Sequence, residues 1–352
     1  MKVAVLSTSS WRTPPRHYGP SEFFASSVTE GLHKRGIDVT LFATKDSETS
    51  AKLKAIVPKG TEEDKMYGSG DIQKDGRYWE YLHLANCFDH ANEFDIIHNN
   101  MSFAPLYFAP HIKPRIVTTV HSGLIDFGIQ PLILDMYKQY NAHTDYVSIS
   151  DSARHPDLNY IETIYHGINV SDYEFHPDAG KYLLLFGRID HAKGAAEAID
   201  VAKKFGMKLV LSGIAPDKDY FDKQIAPHID GVQVEYIGSV GPEQKSKILG
   251  GAYALLHLIN FEEPFGLSVI EALATGTPVI ALNKGSMPEI IDSGTTGFVV
   301  DSLDEVLEKL ADIPSINRAD CRALVADRFT EDIMVDNYAA LFEKILSNSY
   351  AK

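Results

Sequence analysis

Ala254-Leu255-Leu256-His257-Leu258 leads into Phe261-Glu262-Glu263-Pro264-Phe265-Gly266-Leu267-Ser268-Val269-Ile270-Glu271-Ala272, and then into Gly276-Thr277-Pro278-Val279-Ile280. The first run is short and apolar, which suits a buried strand over Ala254–Leu258. The periodic apolar positions from Gly266 to Thr275 predict a helix, closed by Gly276, and Pro278–Leu282 reads as the next strand. Strand, crossover helix and strand in succession make a βαβ unit, and βαβ units build parallel sheets.

The alternation continues on both sides of this stretch. Upstream, Lys181–Phe186 reads as a strand, Lys193–Phe205 as a helix ending at Gly206, and Lys208–Ser212 and Val232–Tyr236 as further strands. In the first half, Lys2–Ser7 and Asp38–Ala43 are strands on either side of an amphipathic helix, Pro20–Arg35, closed by Gly36. Apolar runs at Asp95–His98, Arg115–His121 and Tyr146–Ser150 suit parallel strands covered on both faces. The two series meet near Ile164–Asp172. The expected architecture is α/β: two Rossmann-like, doubly wound parallel-sheet domains facing across a cleft, spanning 1–167 and 168–330. An amphipathic helix within 331–352 is free to cross back to the N-terminal domain. In such sheets ligands lie beyond the carboxyl ends of the strands.

Bulk properties narrow the function. The 352 residues are 44% apolar and 23% charged, a globular composition. A net charge of −15, with both halves acidic and no basic stripe, argues against nucleic acid as a partner. No stretch reaches the ~18–20 apolar residues of a transmembrane span, although a local patch leaves peripheral membrane contact open. Met1–Ser7 is too short and too soon polar for a signal peptide. Cys87 and Cys321 have no metal-type spacing and read as reduced thiols, which points to a cytoplasmic protein.

The Phe261–Ala272 stretch also carries chemistry. A loop with two carboxylates precedes a helix whose first amides lack intrahelical acceptors, an arrangement that attracts an anion. Glu263 precedes the helix and Glu271 lies about two turns into it, so one acid can meet a sugar ring while the other reaches a ribose. A second loop, Phe186-Gly187-Arg188-Ile189-Asp190-His191-Ala192-Lys193-Gly194, sets a guanidinium and an ammonium between a strand and a helix. A planar guanidinium and a compact ammonium so placed can meet the oxygens of a bound anion. Asp217-Lys218-Asp219 spells a metal-type Asp-x-Asp but falls at a helix start, so neither a metal nor another cofactor is expected.

With seven residues between Glu263 and Glu271, this E-x7-E pattern resembles glycosyltransferase family 4, which has the GT-B fold. Gly276-Thr277-Pro278-Val279-Ile280 and Pro288-Glu289-Ile290-Ile291 match as well. The likeness is strong over 180–300 and looser over 1–170. It implies a retaining hexosyltransferase moving sugar from a nucleotide-diphosphate sugar, a UDP-sugar ahead of GDP-mannose, to a hydroxyl of a saccharide or other acceptor. On that resemblance Glu263 contacts the transferred sugar, Glu271 the ribose, and Arg188 and Lys193 the diphosphate. Gly19, Gly187, Phe265, Gly266, Leu267 and Ser268 complete the donor site. The family has two adjacent glycines under the diphosphate, where this chain has Gly19-Pro20. His121 takes the place of a histidine at the reacting centre, while Arg12, Arg16, His17 and His98 fall on the acceptor side. His166-Gly167-Ile168-Asn169 resembles the family's domain-junction segment and reads as architectural. The residues also leave open a phosphorylase, an epimerase or a non-catalytic nucleotide-sugar binder on the same fold. Oligomeric state has no signal in the sequence.

Overall fold

The structure is a computed structural model, and it describes residues 1–16, 19–62, 76–122 and 131–349. It divides into two compact units. The first comprises Met1–Ile149, Arg154–Tyr165 and Glu331–Lys352, and the second Ser150–Ala153 and His166–Thr330.

Among the described residues the first unit has seven parallel strands: β1 (Lys2–Leu6), β2 (Asp38–Phe42), β3 (Lys52–Lys54), β4 (Ile96–Asn99), β5 (Arg115–Val120), β6 (Thr144–Ser148) and β7 (Tyr160–Thr163). Their order is β3-β2-β1-β4-β5-β6-β7, so the winding reverses between β1 and β4. Past their first residues, Lys2 and Arg115, the central strands β1 and β5 are buried, as is all of β4, because helices cover each side of the sheet.

On one face the helices Pro20–Lys34 and Glu331–Ser349 pack together. Phe24, Val28 and Leu32 meet Val335, Tyr338 and Phe342 in a shared core. Arg35 tightens the contact by donating from Nε to Asp336 at 2.6 Å and from Nη2 to Asp332 at 3.1 Å. The helix at the far end of the sequence therefore belongs to the first unit. On the other face Leu84, Cys87, Leu106 and Tyr137 pack on Leu6, Ile97 and Tyr146.

The second unit contains β8 (Tyr182–Phe186), β9 (Leu209–Ser212), β10 (Val234–Tyr236), β11 (Ala252–His257), β12 (Val279–Leu282) and β13 (Gly297–Val300). Their order, β10-β9-β8-β11-β12-β13, reverses between β8 and β11. The helix Ala195–Phe205 ends at Gly206, and the helix Leu267–Ala274 buries Val269, Ile270, Leu273 and, unusually, Glu271. Both cysteines are buried free thiols. No described helix is long and apolar enough to cross a membrane.

Candidate functional site

In each unit the strand order reverses at the centre, where neighbouring loops diverge and leave a crevice. In the second unit the reversal falls between β8 and β11, and the segments that follow these strands are the two the sequence singles out.

The loop after β8 is held tightly to the one after β11. Gly194 has φ 71°, and a Cβ there would stand 1.9 Å from the Leu258 carbonyl oxygen, so no larger residue fits. Asn260 donates its backbone N–H to the Ala192 carbonyl at 3.0 Å. Asp190 accepts from the Lys193 N–H at 3.0 Å and pairs with Arg188 Nε at 3.2 Å. These contacts bring Lys193 Nζ to 2.6 Å from Glu263 Oε2 and 4.7 Å from the centre of the Phe261 ring.

Glu263 is anchored on its other side. Its carbonyl accepts from the Ser286 N–H at 2.9 Å, and Gly285, at φ 56°, comes so close that a Cβ would lie 2.2 Å from that carbonyl. Burial favours protonating the carboxyl, but the His257 imidazole and the Lys193 ammonium outweigh it and hold Glu263 at about 2. His257 Nε2 lies 3.4 Å from Glu263 Oε2, a contact without the alignment of a full hydrogen bond. Burial, opposed by Glu263, keeps His257 below its ordinary value.

Glu271 forms a second cluster. It accepts from Tyr173 Oη at 2.9 Å and pairs with Lys245. The Lys245 ammonium also sits 5.9 Å from the ring of Phe186, the last residue of β8. Both lysine–glutamate pairs therefore belong to the carboxyl ends of β8 and β11. Arg188, on the same loop as Lys193, is 42% exposed. Gly266, at φ 95°, opens the helix Leu267–Ala274. The first-turn amides of Leu267 and Ser268 lack a helical acceptor, and both residues are part-exposed. Phe265 is 2% exposed, with its ring edge-on to His166 and Phe329. Its side chain thus packs the core and leaves only its backbone to a ligand. Asp217 caps a short helical turn by accepting from the Tyr220 N–H, and Asp219 pairs with Lys223 on the surface.

Lys245, Tyr173 and His257 are missing from the sequence-derived set. His257 was visible as a polar residue ending an apolar strand. Lys245 lies in the polar helix Pro242–Gly250 and shows no pattern that separates it from a solvated lysine.

The first unit's crevice is a cavity of 390 Å³ at the carboxyl ends of β1, β4 and β5. His121, one residue past β5, lines it and contacts Asn100 Oδ1 at 3.1 Å. Phe24 meets His121 edge-on at 4.7 Å, and burial lowers the imidazole to about 4. His98 lies elsewhere. It is fully buried beneath the helices Pro20–Lys34 and Glu331–Ser349, among Phe24, Tyr338 and Phe342. Its Nε2 meets Thr119 Oγ1 at 2.8 Å, and Thr119 in turn meets Tyr338 Oη at 2.8 Å. Buried in this way, His98 offers an acceptor no surface.

Arg12 is also engaged within the protein, donating to the Pro14 carbonyl at 2.8 Å and pairing with Glu48 at 3.0 Å. Arg16 is exposed, and Gly19 caps the helix that follows. His17 lies outside the described residues.

Two family descriptions match the chain: "Glycosyltransferase Family 4" over residues 21–171 and "Glycosyl transferases group 1" over residues 171–320. Glycogen synthase of Mycobacterium tuberculosis is 25% identical over 267 residues, which cover 69% of this chain. The match spans 64% of that enzyme, somewhat less than two thirds of its length. Among solved structures, sucrose-phosphate synthase from Thermosynechococcus elongatus superposes with a TM-score of 0.79 at 17% identity, covering 99% of this chain and 100% of the other. Anabaena HepE, solved in complex with UDP and glucose, gives 0.74 at 18% identity over 97% and 99% of the two chains.

Proposed function

Because the chain belongs to the family 4 glycosyltransferases of the GT-B fold, we propose that it transfers a hexosyl group from a nucleotide-diphosphate sugar to a hydroxyl acceptor. The transfer retains configuration and needs no metal. A UDP-sugar is the favoured donor, with GDP-mannose next; the UDP and glucose bound by Anabaena HepE support that order. The observation that carries the reading is the pair of lysine–glutamate couples, Lys193–Glu263 and Lys245–Glu271, at the ends of β8 and β11.

In this reading the leaving diphosphate meets Lys193, Arg188 and the first amides of the helix Leu267–Ala274, so its developing charge is met by protein cations and dipoles. Glu271 accepts from ribose hydroxyls. Glu263, ionised and fixed from both sides, accepts from hydroxyls of the transferred sugar and aligns its anomeric carbon. The acceptor hydroxyl attacks from the face the diphosphate leaves, and a phosphate oxygen takes its proton. The protein's part is positioning, charge balance and exclusion of water. The chain is proposed to work in the cytoplasm.

Replacing Glu263 with Ala tests this directly. Transfer should fall about 1,000-fold, at the upper end of what one transition-state contact supplies, while calorimetric affinity for the nucleoside diphosphate stays within a few-fold. Unchanged turnover would remove Glu263 from the mechanism. Donor choice is read from thermal unfolding with UDP and GDP: at ~100 times its dissociation constant a ligand adds about 2.7 kcal/mol of stability.

A further inference from the structure

The cavity in the first unit has a lining chemistry that the donor site does not share. Thr8, Ser10, Ser21, Ser102 and Ser122 line it, Thr8 with its hydroxyl donated to Glu22, and the Tyr137 hydroxyl lies 3.0 Å from Ser102 Oγ. A hydroxyl both donates and accepts, so a wall of hydroxyls matches a ligand that does the same. The charged side chain on the wall is Glu80, from the helix Gly76–Asp89. Burial raises its carboxyl. His121, held neutral, brings no positive charge at pH 7. Among the described residues lining the cavity there is no lysine or arginine. At 390 Å³ it falls at the small end of the roughly 300–1,000 Å³ typical of ligand pockets.

We propose that this cavity receives the acceptor, and that the acceptor is an uncharged polyhydroxylated molecule of small-saccharide size, with phosphorylated sugars turned away. The proposal rests on the transferase reading above and adds the class of its second substrate. A phosphate group offers only acceptors at neutral pH and needs donors and cations around it. Here it would meet the acceptor-only Glu80 and hydroxyls with no counter-charge, a like-charge contact that selects against the anion. A neutral sugar gives Glu80 a hydroxyl to accept from and finds both donors and acceptors in the serines, threonines and Asn100.

Saturation-transfer NMR on the full chain tests this, with glucose, galactose and N-acetylglucosamine set against glucose 6-phosphate, galactose 6-phosphate and fructose 6-phosphate. The panel is run with and without the nucleoside diphosphate that most raises the unfolding temperature. The expected result is saturation of at least one neutral sugar, with its phosphate ester bound at least tenfold more weakly. Glu80→Lys should reverse that order. Glu80→Gln, the milder change, should narrow the gap while the neutral sugar still binds. A sugar phosphate bound as tightly as its neutral parent overturns the proposal, and so does the lack of any signal from the neutral sugars. Absence of stabilisation by every nucleoside diphosphate defeats the transferase reading instead, so the two failures are distinguishable.

Discussion

At the carboxyl ends of its central strands the second unit carries two lysine–glutamate couples and a partly exposed arginine, whereas the first carries hydroxyls, an amide, a histidine held neutral and the carboxyl of Glu80. The same winding, reversed at the same point of each sheet, thus presents two opposite surfaces. Where a diphosphate is expected, charge is stored in advance as ion pairs, so that each buried glutamate is balanced before any ligand arrives. Where a hydroxyl compound is expected, the described lining sets one carboxyl, Glu80, among groups that exchange hydrogen bonds with little electrostatic cost. Fold topology sets the place of a site, and side chains alone set its chemistry.

If the second unit works through charge, Lys193→Met should have the largest effect among changes beyond Glu263. Turnover should fall about 100-fold, equivalent to ~3 kcal/mol of transition-state stabilisation, in a steady-state assay with saturating donor. A loss below threefold would mean that the couple is structural.

Acid should separate the units next. His83 and His98 are buried and neutral in the folded first unit, lowered by burial from 6.5 to about 4 and about 3. On unfolding they return to 6.5 and bind protons. Their contribution is therefore complete above pH 6.5 and is lost as pH falls toward those folded values, each by about 1.4 kcal/mol per pH unit. Glu263 acts in a lower window: its folded value of about 2 lies below 4.5, so its contribution is intact above pH 4.5 and is lost between 4.5 and 2. In the second unit His257 shares the histidine behaviour, but Glu263 opposes its shift. Hydrogen exchange between pH 7.5 and 5 should show core amides of the first unit losing protection more steeply. Parallel loss in the two units would contradict the contrast.

The smallest effect is expected from Lys245→Met. It leaves Glu271, 10% exposed, with Tyr173 but without its cation, and should cost the second unit about 2 kcal/mol. Denaturant unfolding should shift the second unit's transition and leave the first where it is.

These contrasts also explain what could be read from the sequence. The motif around Glu263 and Glu271 is legible because its constraints are local: a glycine that opens a helix, a proline beside it, and acids at a fixed spacing on one turn-and-helix segment. The central strands are legible because burial on both faces leaves unbroken apolar runs. The edge strands β3, β7 and β13 are not, since Lys52–Lys54 and Tyr160–Thr163 are short and partly exposed. Gly297–Val300, though apolar, is only four residues long. The assignment of Ser150–Ala153 to the second unit depends on Ser150 donating to the Pro264 carbonyl and on Asp151 and Ser152 donating N–H groups to Glu289. Such long-range contacts leave no periodic trace.

His98 shows how one position decides a role. It sits one residue before the end of β4 and points to the face covered by Phe24 and Tyr338, while the next residue, Asn99, points to the other face and donates to the Ser102 carbonyl. His121 lies one residue beyond β5, free of the sheet's alternation, and lines the cavity. From spelling alone the two look alike.

The helix Glu331–Ser349 supplies Val335, Tyr338 and Phe342 to the core of the unit that begins at the N-terminus. During synthesis, residues 166–330 leave the ribosome before that helix does, so the later-encoded unit has its whole core available first. The earlier-encoded one must wait, with Phe24, Val28 and Leu32 uncovered, until the helix Glu331–Ser349 has been made. For this protein the order of translation and the order of completed folding run in opposite directions.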